Sequence, residues 1–209
     1  MKENKWEPNI VIEKLNASCN AKDFIVGLDR YNLSYQAFLR YFEQKPVLVL
    51  DDLIIGANFV YGWMPTILDF YHNGKDLNVA LAAINKAKKA KKHQDLTDSD
   101  LELLKSIVNN SFVGVSKLLH CINPVVFAIW DSRVHRFLDE ACGSNRKTRD
   151  TNNLNNFRAY HYLLDELECI NGVVQIDFSN IDSCIINGSG KFTTRRKIEL
   201  RMFLAGSSS

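Results

Sequence analysis

The chain predicts an all-α fold, and three observations carry that expectation. Apolar residues recur at spacings of three and four over most of its length, which is a helical period. Residues that start and stop helices, such as Asp76, Ser99 and Asn171-Gly172, fall at the edges of the periodic stretches. Only Val173 to Phe178 alternates, weakly, as a short extended segment would.

A length of 209 residues suits one domain, with two lobes sharing a core as the variant, and we expect a single helical domain over residues 1–209. An apolar fraction of 46% is ordinary for a soluble globular protein, and no stretch approaches the roughly 20 apolar residues of a membrane span. Met1 to Ile10 is polar and lacks an apolar leader core, so a cytoplasmic location and no membrane contact are expected. The net charge of +2 does not announce a nucleic-acid binder, so any basic face must be local. The five cysteines are scattered without a CxxC pair, which argues against a disulfide framework and a structural zinc site. The five histidines form no ligand-spaced pair and there is no HExxH, so neither metal nor cofactor is expected.

Taken in order, the residues up to Cys19 read as a loop or arm. Phe24, Leu28, Tyr31, Tyr35, Phe38 and Phe42 follow at helical spacing. Gly27 and Tyr31-Asn32-Leu33-Ser34 are expected to break this stretch into two helices, and Pro46 to end it. Asp51-Asp52 reads as a helix start leading towards the Trp63-Met64-Pro65 break. The aromatic residues around Trp63 are either core or a wall on which a flat base could stack. Asp76 to Lys92 reads as a helix that runs out into Lys86, Lys88, Lys89, Lys91, Lys92 and His93. That end is either a solvated, dipole-favoured terminus or a phosphate-contacting patch.

Ser99-Asp100-Leu101-Glu102 has the capping-box pattern of a helix through Val108, closed by Asn109-Asn110-Ser111. With a helix after Gly114, this makes a helix-hairpin-helix candidate. An apolar run then ends abruptly at Asp131, placed at or just before the N-cap of a helix whose buried face is Val134, Phe137, Leu138 and Ala141. Gly143 to Asn153 reads as an exposed loop. Phe157, Tyr160, Leu164, Leu167 and Ile170 mark a long amphipathic helix. The last helix begins near Thr193-Thr194 with Ile198, Met202 and Phe203 inward. Its first turn carries Arg195, Arg196 and Lys197, the wrong sign for the helix dipole unless an anion such as a phosphate sits there.

Two segments resemble the helix-hairpin-helix DNA glycosylase superfamily, the relatives of endonuclease III and 8-oxoguanine glycosylase. Its hairpin reads roughly L-P-G-V-G-x-K, and a later apolar run ends in V-D-T-H-V-x-R. Here Phe112-Val113-Gly114-Val115-Ser116-Lys117 stands at the first, and Trp130-Asp131-Ser132-Arg133-Val134-His135-Arg136 at the second. The Asp, the hydroxyl residue after it, the Val and the final Arg fall in step. The likeness covers about thirty residues of the element spanning about 99–142, and the second segment is the more specific. Val113 replaces the hairpin proline, Ser116 its second glycine, and the connection to Asp131 is shorter than usual.

The resemblance implies helical lobes around a central cleft and a monomeric enzyme acting on double-stranded DNA that holds a modified base. It implies Asp131 as the catalytic carboxylate, and backbone N–H groups of Gly114, Val115 and Ser116 on a phosphate. Arg133, Arg136, Arg195 and Arg196 are further DNA-contact candidates, and Trp63, Trp130 and His135 base-pocket candidates. In the strand-cleaving members a lysine follows the second hairpin glycine by two residues. Without a gap that position is Leu118, and Lys117 lies one residue early, so a monofunctional enzyme is favoured and Lys117 reads as a phosphate contact rather than a Schiff-base nucleophile. The substrate would be an oxidised purine first, then another lesion or a hypermodified base of phage DNA. The rival readings are a non-catalytic helix-hairpin-helix DNA-binding protein and a helical interaction protein in which Asp131 only caps.

Overall fold

The structure, a computed structural model, describes residues 5–18, 25–64, 66–70, 76–143, 150–170, 176, 178, 181 and 192–206, with 25–33 given by their backbone. Among these residues it is all-helical, and the all-α expectation holds. The helices are α1 (Pro8–Ala17), α2 (Ile25–Glu43), α3 (Leu50–Tyr61), α4 (Leu77–Lys89), α5 (Asp98–Ile107), α6 (Phe112–Ile122), α7 (Ser132–Ala141), α8 (Leu154–Ile170) and α9 (Thr194–Ala205). No helix among the described residues is long and apolar enough to cross a membrane. The expected segments at 144–149 and 171–175 lie outside the described residues.

The chain divides into two compact units, residues 34–129 and residues 1–33 with 130–209. In the first, α6 packs against α3, α4 and α5. Its core is Phe112, Val115, Leu118 and Leu119 of α6 with Leu53, Ala57 and Val60 of α3, Ile84 of α4 and Leu101 and Leu104 of α5, all buried. Each large apolar side chain buried here contributes about 1.5–3 kcal/mol. The close approach of α3 needs Gly56: a Cβ there would lie 2.6 Å from Phe42 Cζ and 2.7 Å from Leu118 Cδ1.

Sequence and structure part company at two places in these helices, and agree at the start of α3. α2 is continuous where Gly27 and Ser34 suggested two helices. α5 starts two residues before the Ser99 pattern, because Thr97 is the N-cap: its hydroxyl accepts from Asp100 N while the Asp100 carboxylate accepts from Thr97 N. α3 starts where Asp51-Asp52 indicates: its first residue is Leu50, both aspartates lie in its first turn, and Asp52 accepts from the Val49 N–H at 2.9 Å. Asp52 is buried and also receives Tyr41 Oη and Lys45 Nζ, each at 2.7 Å. Burial opposes its ionisation, but the Lys45 ammonium, the Val49 amide and the Tyr41 hydroxyl outweigh it and hold the carboxyl below its ordinary range.

In the other unit, α1, α7, α8 and α9 pack on one another. α1 is a helix where the sequence suggested an arm: Pro8 stands in its first turn, and Val11, Ile12 and Leu15 bury one face. α8 buries Phe157, Tyr160, His161, Leu163, Leu164 and Leu167, and α9 buries Ile198, Leu200 and Met202. Tyr160 sits fully inside, where burial and then the Glu199 charge push its hydroxyl well above the usual tyrosine range.

Candidate functional site

The site is best built from α7 upward. The chain leaves α6 at Asn123, whose backbone N–H still donates to Leu119 O. Phe127, Ala128, Ile129 and Trp130 follow, all buried. His120 fixes this passage, because its Nδ1 lies 2.7 Å from Phe127 O. A carbonyl only accepts, so Nδ1 donates to it, and Nε2 lies 2.9 Å from Tyr35 Oη.

Asp131 ends the buried run as the N-cap of α7. Its backbone is extended (φ −142°, ψ 158°), and its Oδ1 accepts from Arg133 N at 2.8 Å. The Asp131 carboxylate is half-buried, and its Oδ2 has no hydrogen-bond partner among the described residues. One oxygen is thus fixed at a helix N-terminus, where the dipole favours negative charge, and the other is uncommitted. The charge of Asp131 reaches Tyr160 and helps to raise its hydroxyl, after the larger effects of burial and Glu199.

α7 itself is clamped. Arg136 Nη1 donates to Gly206 O at 3.1 Å, and the exposed Arg133 guanidinium lies 4.7 Å over the Phe203 ring. On its inner side His135 meets Trp6 and Trp130 edge-on, at 6.1 and 5.1 Å between ring centroids, and its Nε2 lies 3.6 Å from Asp139 Oδ2. Trp130 also packs on Tyr160 and donates its indole N–H to Thr151 O at 2.9 Å. Trp130 and His135, base-pocket candidates by the resemblance, are core residues at 0% and 2% exposure. A base could stack there only if that packing opened. Trp63 belongs to the other unit, half-buried against Phe38 and Tyr35, with its indole N–H on Ser34 Oγ at 3.0 Å.

The hairpin also differs from its sequence reading. Its turn lies at Asn109 and Asn110, with φ of 55° and 49°, a left-handed conformation that asparagine tolerates better than most residues. Asn109 is pinned to Asp69 by two hydrogen bonds, N to Asp69 O at 3.1 Å and Asp69 N to its Oδ1 at 3.0 Å. Phe112 to Lys117 are already helix, with Ser111 as N-cap. Gly114 N donates to Ser111 Oγ, Val115 N donates to Ser111 O, and Gly114, Val115 and Ser116 are all buried. These amides are committed within α6, so they do not offer the backbone contact suggested for them. Gly114 has a packing reason: a Cβ there would lie 2.7 Å from the Tyr61 hydroxyl. Lys117 is half-buried on α6.

Arg195 and Arg196 have a different occupation from the phosphate contact suggested by the sequence. Arg195 is buried and pairs with Asp165 and Glu168 of α8, while Arg196 pairs with the buried Glu199. Two of the three cations in the first turn of α9 are thus paired with carboxylates of the same unit, and Lys197 Nζ lies 5.6 Å over the Phe178 ring. Sequence reasoning missed Trp6, although a tryptophan two residues before a helix-starting proline was a usable signal. It could not see the carboxylates opposite Arg195, which stand 27 and 30 residues away. Among the described residues no group of three His, Cys, Asp or Glu could hold a metal ion.

Compared with protein-family models, with curated proteins and with solved structures, the chain matches none of them.

Proposed function

We propose that this protein is a DNA glycosylase that hydrolyses the N-glycosidic bond of a modified base in duplex DNA and leaves an abasic site. One observation carries the reading. Asp131 ends a buried run, is held by one oxygen at the N-terminus of α7, has no hydrogen bond to its other oxygen among the described residues, and stands in step with the superfamily's V-D-T-H-V-x-R element.

The chemistry follows from that carboxylate. The base must leave the stack before its bond to C1′ can be reached, which costs a few kcal/mol and least for a damaged base. Breaking the bond builds positive charge on the sugar, as in glycoside hydrolysis. A fixed carboxylate beside C1′ stabilises that charge and aligns or deprotonates the attacking water. Exposed Arg133 and half-buried Lys117 are the phosphate contacts this reading uses, because Arg136, like Arg195 and Arg196, is engaged internally.

The rival in which Asp131 only caps is met by the same hydrogen bond, so the test must separate the two. The protein is incubated with duplexes carrying oxidised purines, other lesions and hypermodified phage bases, followed by alkaline cleavage at abasic sites. The reading expects cleavage by wild type that Asp131→Asn loses. Salt-dependent DNA binding with no abasic sites in any duplex would favour a non-catalytic DNA-binding protein. Borohydride trapping decides the remaining choice: a covalent adduct lost in Lys117→Ala would make the enzyme a strand-cleaving lyase.

A further inference from the structure

In the basic run at the end of α4, two lysines make an internal ion pair or hydrogen bond through their ammonium groups and three do not. Lys86 Nζ pairs with Asp100 at 2.8 Å, Lys88 Nζ donates to Phe42 O at 2.7 Å, and His93 is buried. Lys89, Lys91 and Lys92 are exposed, and none has an ion pair or a side-chain hydrogen bond among the described residues. Cations at a helix C-terminus ordinarily serve the unsatisfied carbonyls and the dipole. Here that service is supplied elsewhere: Asn123 Nδ2 donates to both Ala87 O and Ala90 O at 3.0 Å.

The backbone beneath the three lysines is fixed as well. The Asp95 carboxylate accepts the N–H groups of Lys91 and Lys92 at 2.7 and 3.1 Å, and Ala90, His93 and Leu96 are buried around it. Three ammonium groups therefore stand on one pinned corner without an ion pair among the described residues, and of the three only the Lys92 charge acts inward, helping the Lys91 and Lys92 amides to hold the Asp95 carboxyl below its ordinary range.

We infer that Lys89, Lys91 and Lys92 form a contact surface for the phosphate backbone of duplex DNA, a sequence-independent DNA-binding element that rests on the glycosylase reading above. Lysine is a flexible point charge suited to phosphate, and it is depleted from the cores of protein–protein interfaces. A lipid surface fits less well. The exposed face of α4 is Asn78, Val79, Ala82 and Lys86, which offers a single large apolar side chain where an interfacial helix needs a continuous stripe.

The test is the affinity of the full chain for an ordinary fluorescent duplex across a salt series. It compares wild type, the triple variant Lys89→Gln, Lys91→Gln, Lys92→Gln, and a Lys86→Gln control. Each phosphate contact adds about 0.9 to the slope of log K against log salt, so the triple variant should lose about two to three units of slope. Its affinity at low salt should fall by about tenfold or more, with an unchanged thermal midpoint, and the control should keep most of the slope. A wild-type slope in the triple variant overturns the inference. So does a wild-type protein that binds anionic vesicles or an acidic peptide but not DNA. Base release from a modified duplex, measured in parallel, separates this inference from the one beneath it. Asp131-dependent release with an unchanged slope sinks the lysine surface alone, whereas lysine-dependent DNA binding without release sinks the glycosylase reading and leaves the surface standing.

Discussion

Replacing Gly206 with alanine tests how α7, the helix that Asp131 caps, is held in place. Gly206 follows α9, and an ideal Cβ there would lie 2.1 Å from Arg133 O and 2.9 Å from Arg133 C. Those are backbone atoms in the first turn of α7, so no side chain can rotate away. The Gly206 φ of −74° suits any residue, and space alone excludes a larger one. Ordinary contact lies roughly 1 Å or more further out, so the end of α9 must retreat by about that much. Retreat stretches the Arg136 Nη1 to Gly206 O bond, now 3.1 Å, and lifts Phe203 from Arg133. Overpacking costs about 1–3 kcal/mol, and losing part of a charge-assisted hydrogen bond adds about 1–2 kcal/mol. The sum is about 2–5 kcal/mol, which lowers the thermal midpoint by roughly 4–20 °C in a protein of this size. Urea unfolding followed by circular dichroism measures it. A loss under about 0.5 kcal/mol would refute the tight contact between the end of α9 and α7.

Three further outcomes follow from named contacts. Asp131→Ala should cost about 1 kcal/mol by removing the cap on Arg133 N, while Asp131→Asn should cost only a few tenths, because asparagine caps nearly as well. Equal losses in thermal melts would show that the cap is not what Asp131 contributes to stability. Asp52, held below its ordinary range, should stabilise the fold fully above the unfolded aspartate pKa of about 3.9 and lose that contribution as pH falls through the lower folded value. Urea midpoints measured down the acid limb should therefore fall less steeply in Asp52→Asn, and an unchanged limb would contradict the assignment. Gly56→Ala should cost about 1–3 kcal/mol by overpacking against Phe42 and Leu118. A double-mutant cycle with Leu118→Ala should recover part of that loss, and strict additivity would place the clash elsewhere.

How much was legible in the sequence depended on how local each cause is. The cap at Asp131, the inward face of α8 and the start of α9 at Thr193 are written in neighbouring residues, and the helices begin and face as those residues indicate. α1 was hidden because only Val11, Ile12 and Leu15 mark its buried face. The continuity of α2 through Gly27 and Ser34 ran against local propensity, which favourable packing of a helix readily overrides. At α5 two Ser/Thr capping patterns overlap two residues apart. The competition was settled by Asp100, which also binds Lys86. The site was less legible still. Whether Arg195 faces solvent, a phosphate or Asp165 and Glu168 depends on how α8 packs with α9, and no spacing within one helix encodes that. Trp130 and His135 look alike in the sequence whether they line a cleft or fill a core, and Trp6, far away in the chain, covers them.

The central claim is that the Asp131 carboxylate acts on a glycosidic bond as well as capping α7. The most direct measurement is the single-turnover rate of free-base release from a modified duplex by wild type and by Asp131→Asn, with matched thermal midpoints. The account predicts release by wild type and a fall of about a hundredfold to a thousandfold in the variant, the size expected when a charge aimed at the transition state is removed. Equal rates in the two proteins, or no released base from wild type with any modified duplex, would contradict it.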